Sequence, residues 1–277
     1  INDENTDICD AVAGSLERLS AAYSAAIAAA LTPLLEATDS ALRRRVVRVL
    51  GSIKGASVES ALLMALKDPE SEVRCEAIRA LRGCSVNTYT EGLKLALNDE
   101  VADVRRLAAE ALGACTETEA LPALSLAVDD QDPWVRAAAV RSLKHFPGEQ
   151  ADQLLTLAVE DTVGLIVIAA LETLLQRDSS TAKPYLVNAL GHGDAEVVRS
   201  AIELLARDDS CEALDPHIIK LLGHSHKDVR THIVQTIARL CGKKYQPNLE
   251  ERLQIEKEPL VIRVLEETLH HLQRSGS

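Results

Sequence analysis

Residues 68–81 read DPESEVRCEAIRAL, and the pattern returns 31 residues later as DEVADVRRLAAEAL (99–112) and again as DQDPWVRAAAVRSL (130–143). Working outward, five more windows align without gaps: ATDSALRRRVVRVL from 37, DTVGLIVIAALETL from 161, HGDAEVVRSAIELL from 192, HSHKDVRTHIVQTI from 224 and EKEPLVIRVLEETL from 256. Their starts are separated by five steps of 31 residues and then two of 32. The sixth place is always apolar (Leu42, Val73, Val104, Val135, Ile166, Val197, Val229, Val261), and the fourteenth is Leu or Ile throughout. In most windows places ten and eleven are apolar too, which makes one stripe of an α-helix facing a core. A fixed period of this size marks a stack of supersecondary units.

A second set of apolar marks precedes each window: Leu62 and Leu66, Leu93 and Leu97, Leu124 and Val128, Leu186 and Leu190, Ile218 and Leu222. The unit is therefore a pair of helices, and Pro122, Pro184 and Pro216 are expected to open the first helix of their pairs. One such pair cannot bury its own apolar face, so stability must come from stacking on neighbours. The partial copy TDICDAVAGSLERL at 6–19 predicts an N-terminal capping helix, dividing the chain into a cap at 1–22 and one continuous solenoid at 23–277. Near the other end, Glu250 and Gln254 replace apolar marks, as suits a last repeat facing solvent. The start at Ile1 and the Ser-Gly-Ser end suggest a piece of a longer protein.

Composition agrees with closely packed helices, since 47% of residues are hydrophobic while only 2% are aromatic. The net charge of −12 argues against general nucleic-acid binding, which relies on clustered Lys and Arg releasing counterions. The deficit is uneven. Residues 1–39 carry one basic and seven acidic side chains, whereas 40–145 hold fifteen of each. The six cysteines (9, 75, 84, 115, 211, 241) form no Cys-x-x-Cys pair, which fits a reducing, cytoplasmic setting. The Ala-rich stretch 21–35 is too short to span a bilayer and follows acidic residues, so no membrane role is expected.

The windows resemble HEAT repeats, in the short bacterial form called PBS-lyase HEAT-like, over residues 20–275, with the motif Asp-x-x-x-x-Val-Arg-x-x-Ala-x-x-x-Leu. The resemblance implies an all-α superhelix, a HEAT-repeat solenoid of about eight helix pairs plus the N-terminal cap. It also implies a ladder of Asp–Arg hydrogen bonds along the stack, carried here by Asp68 with Arg74, Asp99 with Arg105, and Asp130 with Arg136. The ladder then breaks. Arg gives way to Val167 and Val198, and Asp to His192 and His224. A change of stacking angle is expected near 161–200. The run VGLIVIAAL (163–171) is apolar all round a helix, and is either deeply covered or an exposed patch for a partner; its Ala-rich neighbours favour cover.

In HEAT-like stacks the second helices line the concave surface. The twelfth place there holds Arg48, Arg79, Glu110, Arg141, Glu172, Glu203, Gln235 and Glu267, basic early and acidic late. With Arg44, Arg45 and Arg106 this column could form a bipolar groove for a protein partner, or simply a solvated charged face. Trp134, the single Trp, stands in an inter-helix turn either as a contact anchor or as packing. His192, His217, His224, His226 and His232 cluster late, either as metal ligands or as structural side chains; the second reading is favoured, with the Gly-His pairs at 191–192 and 223–224 capping helix junctions where Asp stands elsewhere, so no metal is expected. Cys84 and Cys115 share a column with Ile53 and Phe146, so they read as core.

No catalytic constellation, nucleotide loop or cofactor site is recognisable. The leading expectation is a monomeric protein-binding scaffold or adaptor without enzymatic activity. The alternative is a subunit like the bilin lyases, which handle a tetrapyrrole on a carrier protein, although such a pigment groove would want more aromatics. No His-Glu dipeptide occurs for a deoxyhypusine hydroxylase iron site, and the acidic charge disfavours a HEAT-like DNA glycosylase.

Overall fold

A computed structural model of the chain describes residues 11, 15, 23, 25–53, 55–84, 86–114, 120–207 and 212–274. The expected cap at 1–22 falls almost wholly outside them. No strand occurs among the described residues, and none of their helices is long and apolar enough to cross a membrane. By packing, the chain divides into two compact units, Ile1–Leu154 and Leu155–Ser277.

In the first unit, a helical stretch at 25–31 and a 3-10 turn, Thr32–Glu36, lead into α1 (Ser40–Gly51), α2 (Ala56–Ala65), α3 (Ser71–Ala80) and α4 (Val86–Ala96). There follow α5 (Ala102–Leu112), α6 (Leu121–Ala127) and α7 (Pro133–Ser142). The odd-numbered helices are the second members of each pair, and they pack in series, α1 on α3, α3 on α5 and α5 on α7. The even-numbered first members lie alongside, α2 on α3, α4 on α5 and α6 on α7. Helix α8 (Glu149–Ala158) spans the division between units.

The second unit repeats the scheme with α9 (Gly164–Arg177), α10 (Ser179–Ala189), α11 (Ala195–Leu205), α12 (Ile218–Leu222), α13 (Lys227–Leu240), α14 (Gln246–Ile255) and α15 (Pro259–Arg274). Again the second members pack in series, α9 on α11, α11 on α13 and α13 on α15.

The periodic columns explain this arrangement. Every residue at the sixth place, from Leu42 to Val261, is buried, and so is every residue at the fourteenth, from Leu50 to Leu269. Each such Val, Leu or Ile contributes about 1.5–3 kcal/mol on leaving water. Small residues set how closely neighbours approach. A Cβ on Gly51 would fall 2.6 Å from that of Ala80, and one on Gly113 would fall 2.5 Å from Ser142 Oγ. The Ser142 hydroxyl donates to Ala109 O (2.8 Å) and Ala138 O (2.9 Å) at that contact. Along 163–171 no residue is exposed, so the run is covered, as its neighbours suggested.

One sequence expectation is corrected. Pro122 does sit in the first turn of α6, and Pro216 precedes α12, but Pro184 lies inside α10. That helix starts earlier because Asp178 caps it, accepting from the backbone N–H of Ser180 (3.0 Å) and Thr181 (3.3 Å) and from both their hydroxyls. Those bonds hold its carboxyl down to a pKa of about 2.

The Asp–Arg ladder exists with a different partner. Within a window the arginine bonds the aspartate's backbone, Arg74 Nη1 donating to Asp68 O at 2.8 Å and Arg136 Nη1 to Asp130 O at 2.9 Å. In Arg74 and Arg105 the remaining N–H groups reach the carboxylate of the next window. Arg74 clamps Asp99 (2.6 and 2.8 Å) and Arg105 clamps Asp130 (2.7 and 2.8 Å), each through Nε and Nη2. Two further rungs escaped the sequence reading. Arg43 holds Asp68 (2.7 and 2.7 Å) in the first unit, and Arg230 holds Glu256 (2.8 and 2.8 Å) in the second. All eight side chains are at most 11% exposed. Burial alone would push Asp68, Asp130 and Glu256 up, but the paired guanidinium and backbone N–H bonds hold all three below the usual carboxylate range.

Candidate functional site

The twelfth-place column is exposed as expected from Arg48 through Glu267, apart from Glu172, which is half-buried. Its basic end is already engaged. Arg44 Nη1 bonds Glu72 at 2.6 Å, and Arg48 Nε bonds Glu76 at 3.2 Å, each reaching from α1 to α3. Arg79 shares Glu76 at 3.6 Å, and Arg106 pairs along its own helix with Glu110 (2.6 Å) and Asp103 (3.3 Å). Exposed pairs of this kind contribute about 0–1 kcal/mol each. Arg45 is half-buried, while Arg141 and Glu203 are exposed. In the first unit the column is thus a lattice of mutually satisfied charges. Trp134 is 60% exposed at the start of α7, beside the N-cap Asp132, which accepts its backbone N–H at 2.8 Å.

A second surface was not anticipated. On the first members of the pairs, Met64 (58% exposed), Leu95 (60%) and Leu126 (76%) stand at steps of 31 residues on α2, α4 and α6. Each follows a buried Leu by two residues (Leu62, Leu93, Leu124) and so points off the opposite side of its helix. Grooves run beside Met64 and Leu126. Between α4 and α6 lies one of about 670 Å³, with Lys94 and Leu97 on one wall, Pro122, Leu126 and Ala127 on the other, and Asp130 at its end. Two repeats earlier, Met64, Ala65 and Asp68 take the places of Leu126, Ala127 and Asp130 in a groove of about 290 Å³ bounded by Leu35. The only signal in the sequence was the period itself, because a Leu on an amphipathic helix reads first as core.

Two of the five late histidines act as turn acceptors. His192 Nδ1 accepts the N–H of Asp194 at 3.0 Å, and His224 Nδ1 accepts that of His226 at 3.1 Å. In four of the other windows Asp68, Asp99, Asp130 and Asp161 do the same for the residue two places on, at 2.8–2.9 Å. Among the described residues no three His, Cys, Asp or Glu side chains converge as metal ligands would.

Cys75 and Cys84 are half-buried thiols, while Cys115 lies outside the described residues. Burial, with Glu59 adding to it, pushes the Cys84 thiol up to about 11. Peptide-resolved alkylation at pH 8 is therefore expected to label Cys84 roughly a hundredfold more slowly than a free cysteine, because only the thiolate reacts. Labelling at the free-cysteine rate would contradict the burial of this column.

The HEAT-repeat family profile matches residues 1–85, 90–175 and 183–270, three stretches that together span nearly the whole chain. This chain is a HEAT-repeat protein. Among solved structures it is similar to YibA from E. coli, at 18% identity over 99% of both chains with a TM-score of 0.56. It also has some likeness to the complex of CpcE and CpcF of phycocyanin lyase from a Nostoc species, at 21% identity over 87% of this chain and 93% of that one, with a TM-score of 0.47. The likeness to YibA bears on the fold alone. No match to this HEAT-repeat chain was found among curated proteins.

Proposed function

We propose that this HEAT-repeat chain is a cytoplasmic, non-enzymatic scaffold that binds another protein through the first members of its helix pairs in the first unit. The observation that carries the reading is the row of Met64, Leu95 and Leu126, more than half exposed and one per repeat, with Met64 and Leu126 each lining a groove of mixed apolar and charged walls. Large apolar side chains repeated in register on a surface are characteristic of contact sites. The charged column with Trp134 offers the other face. It is the weaker candidate, since Arg44, Arg48, Arg79 and Arg106 already hold carboxylates and a partner would have to displace them.

Two variants separate these surfaces in affinity capture from the native host. Changing Met64, Leu95 and Leu126 together to Ser is expected to abolish capture of the specific partner while moving stability by less than about 0.5 kcal/mol per site, as exposed substitutions do. Changing Arg44, Arg45, Arg48 and Arg79 to Glu is expected to leave capture in place. If capture survives the first variant and is lost in the second, the binding face is the charged column; if it survives both, neither face binds.

A further inference from the structure

In the second unit two junctions exchange both ends of a rung at once. Arg43, Arg74, Arg105 and Arg230 each meet a carboxylate one repeat on, whereas Val167 is followed by His192 and Val198 by His224. Both valines are fully buried. The substitutions are matched, so no lone guanidinium or lone carboxylate is left where its counterparts are buried, an arrangement that costs heavily when only one partner goes. What the imidazole retains is the other duty of the aspartate, accepting the backbone N–H two residues on.

That duty depends on protonation. Nδ1 of His224 can accept the His226 N–H only while it carries no proton itself. The charged and titratable groups acting on it are His226 in the same turn, with ring centroids 5.8 Å apart, Lys220 on α12, and Arg230 on α13, whose Nη1 donates to the His224 carbonyl at 2.8 Å. From α11 the rung position offers Val198, which is uncharged. Lys220 and Arg230 are cationic, and neither favours a further positive charge on the ring.

We propose that His224 makes the joint between α11 and α13 acid-sensitive: protonating Nδ1 breaks the turn at His226 and adds a positive charge beside Arg230 and Lys220, loosening the second unit while the Arg–carboxylate rungs hold. Burial, then His226, holds the imidazole below its ordinary value. The unfolded chain therefore binds more protons in this range. The joint is at full strength above about pH 6.5 and weakens as pH falls through the folded value. Glu256, held far below the carboxylate range, keeps the next joint closed over that interval.

The test is amide hydrogen exchange on the full chain at pH 7.5 and 5.5, expressed as protection factors. Wild type is expected to lose severalfold protection in the turn at His226 and the start of α13 on acidification, as the lowered imidazole requires, with α3 and α5 unchanged. His224→Asn presents a side-chain oxygen to the same N–H at any pH and is expected to lose almost none. Val198→Arg with His224→Asp restores a carboxylate rung and is expected to behave likewise. Equal loss in wild type and His224→Asn, or no loss in wild type, overturns the proposal. Should both variants fail to fold, the NMR titration of His224 in wild type decides. A midpoint coinciding with the loss of protection supports the switch, and one that does not coincide refutes it.

Discussion

Arg105→Met is expected to destabilise the first unit by about 3–5 kcal/mol, the cost of leaving one member of a buried ion pair behind. Its guanidinium makes bonds to both oxygens of Asp130 and to the carbonyls of Asp99 (2.9 Å) and Glu100 (3.2 Å), so the change orphans a carboxylate and two backbone acceptors together. Asp130 is 11% exposed, and one of its oxygens also accepts the N–H of Asp132, so its carboxylate is held in place by the turn it closes. The loss should depend on pH in a definite direction. In the wild type Asp130 titrates below the usual range, so the pair's contribution is present above about pH 4 and fades as pH falls through the folded value. In the variant only the Asp132 N–H and the charge of Arg136 still oppose burial, so the same group lies higher than in the wild type and the urea midpoints of the two proteins should converge as pH falls through the carboxylate range. Adding Asp130→Asn, which keeps the acceptor for the Asp132 N–H, should recover much of the loss at pH 7. A single variant as stable as wild type would mean that the rung is ornamental.

Phe146→Ala is the second large effect, about 3–5 kcal/mol from lost burial plus the cavity left behind. Phe146 is 2% exposed and follows the 3-10 turn Leu143–His145, where its N–H bonds Leu143 O at 3.1 Å. The column that holds Ile53 and Cys84 in earlier repeats thus carries its bulkiest member at the end of the first unit, where no smaller side chain could fill the same space. Chemical denaturation checks this directly. Phe146→Leu, which keeps most of the apolar volume, should cost distinctly less, and equal losses for the two variants would argue that the ring fills no specific space.

The core was legible because a solenoid folds nearly in one dimension: the sixth and fourteenth places recur in the chain at the spacing at which they recur in space. Rung partners were not legible for the same reason. Aligning windows sets Asp68 beside Arg74, yet the long arginine side chain leans across to the next repeat and finds Asp99. Arg43 was passed over because its own window opens with Ala37, and Glu256 because it is not an aspartate; both become obvious once the partner is sought 25 or 26 residues downstream. The row of Met64, Leu95 and Leu126 was invisible for a different reason. Exposure depends on which side of α2, α4 and α6 the neighbours cover, and a Leu of the same period could equally have been core. Pro184 was misplaced because a strong Asp cap can start a helix ahead of a proline.

The two kinds of rung also act as a joining code. A repeat that offers Arg accepts only a successor that opens with a carboxylate, and one that offers Val accepts a successor that opens with His. Inserting a copy of residues 68–98 after itself preserves every match, whereas placing it ahead of residue 192 would press Arg74 against an imidazole. Slipped pairing during folding meets the same barrier wherever it brings unlike joints together. Gene duplication can therefore lengthen the Arg-bearing stretch freely, while the Val–His stretch can grow only by copying residues 192–223, which both open with His and offer Val.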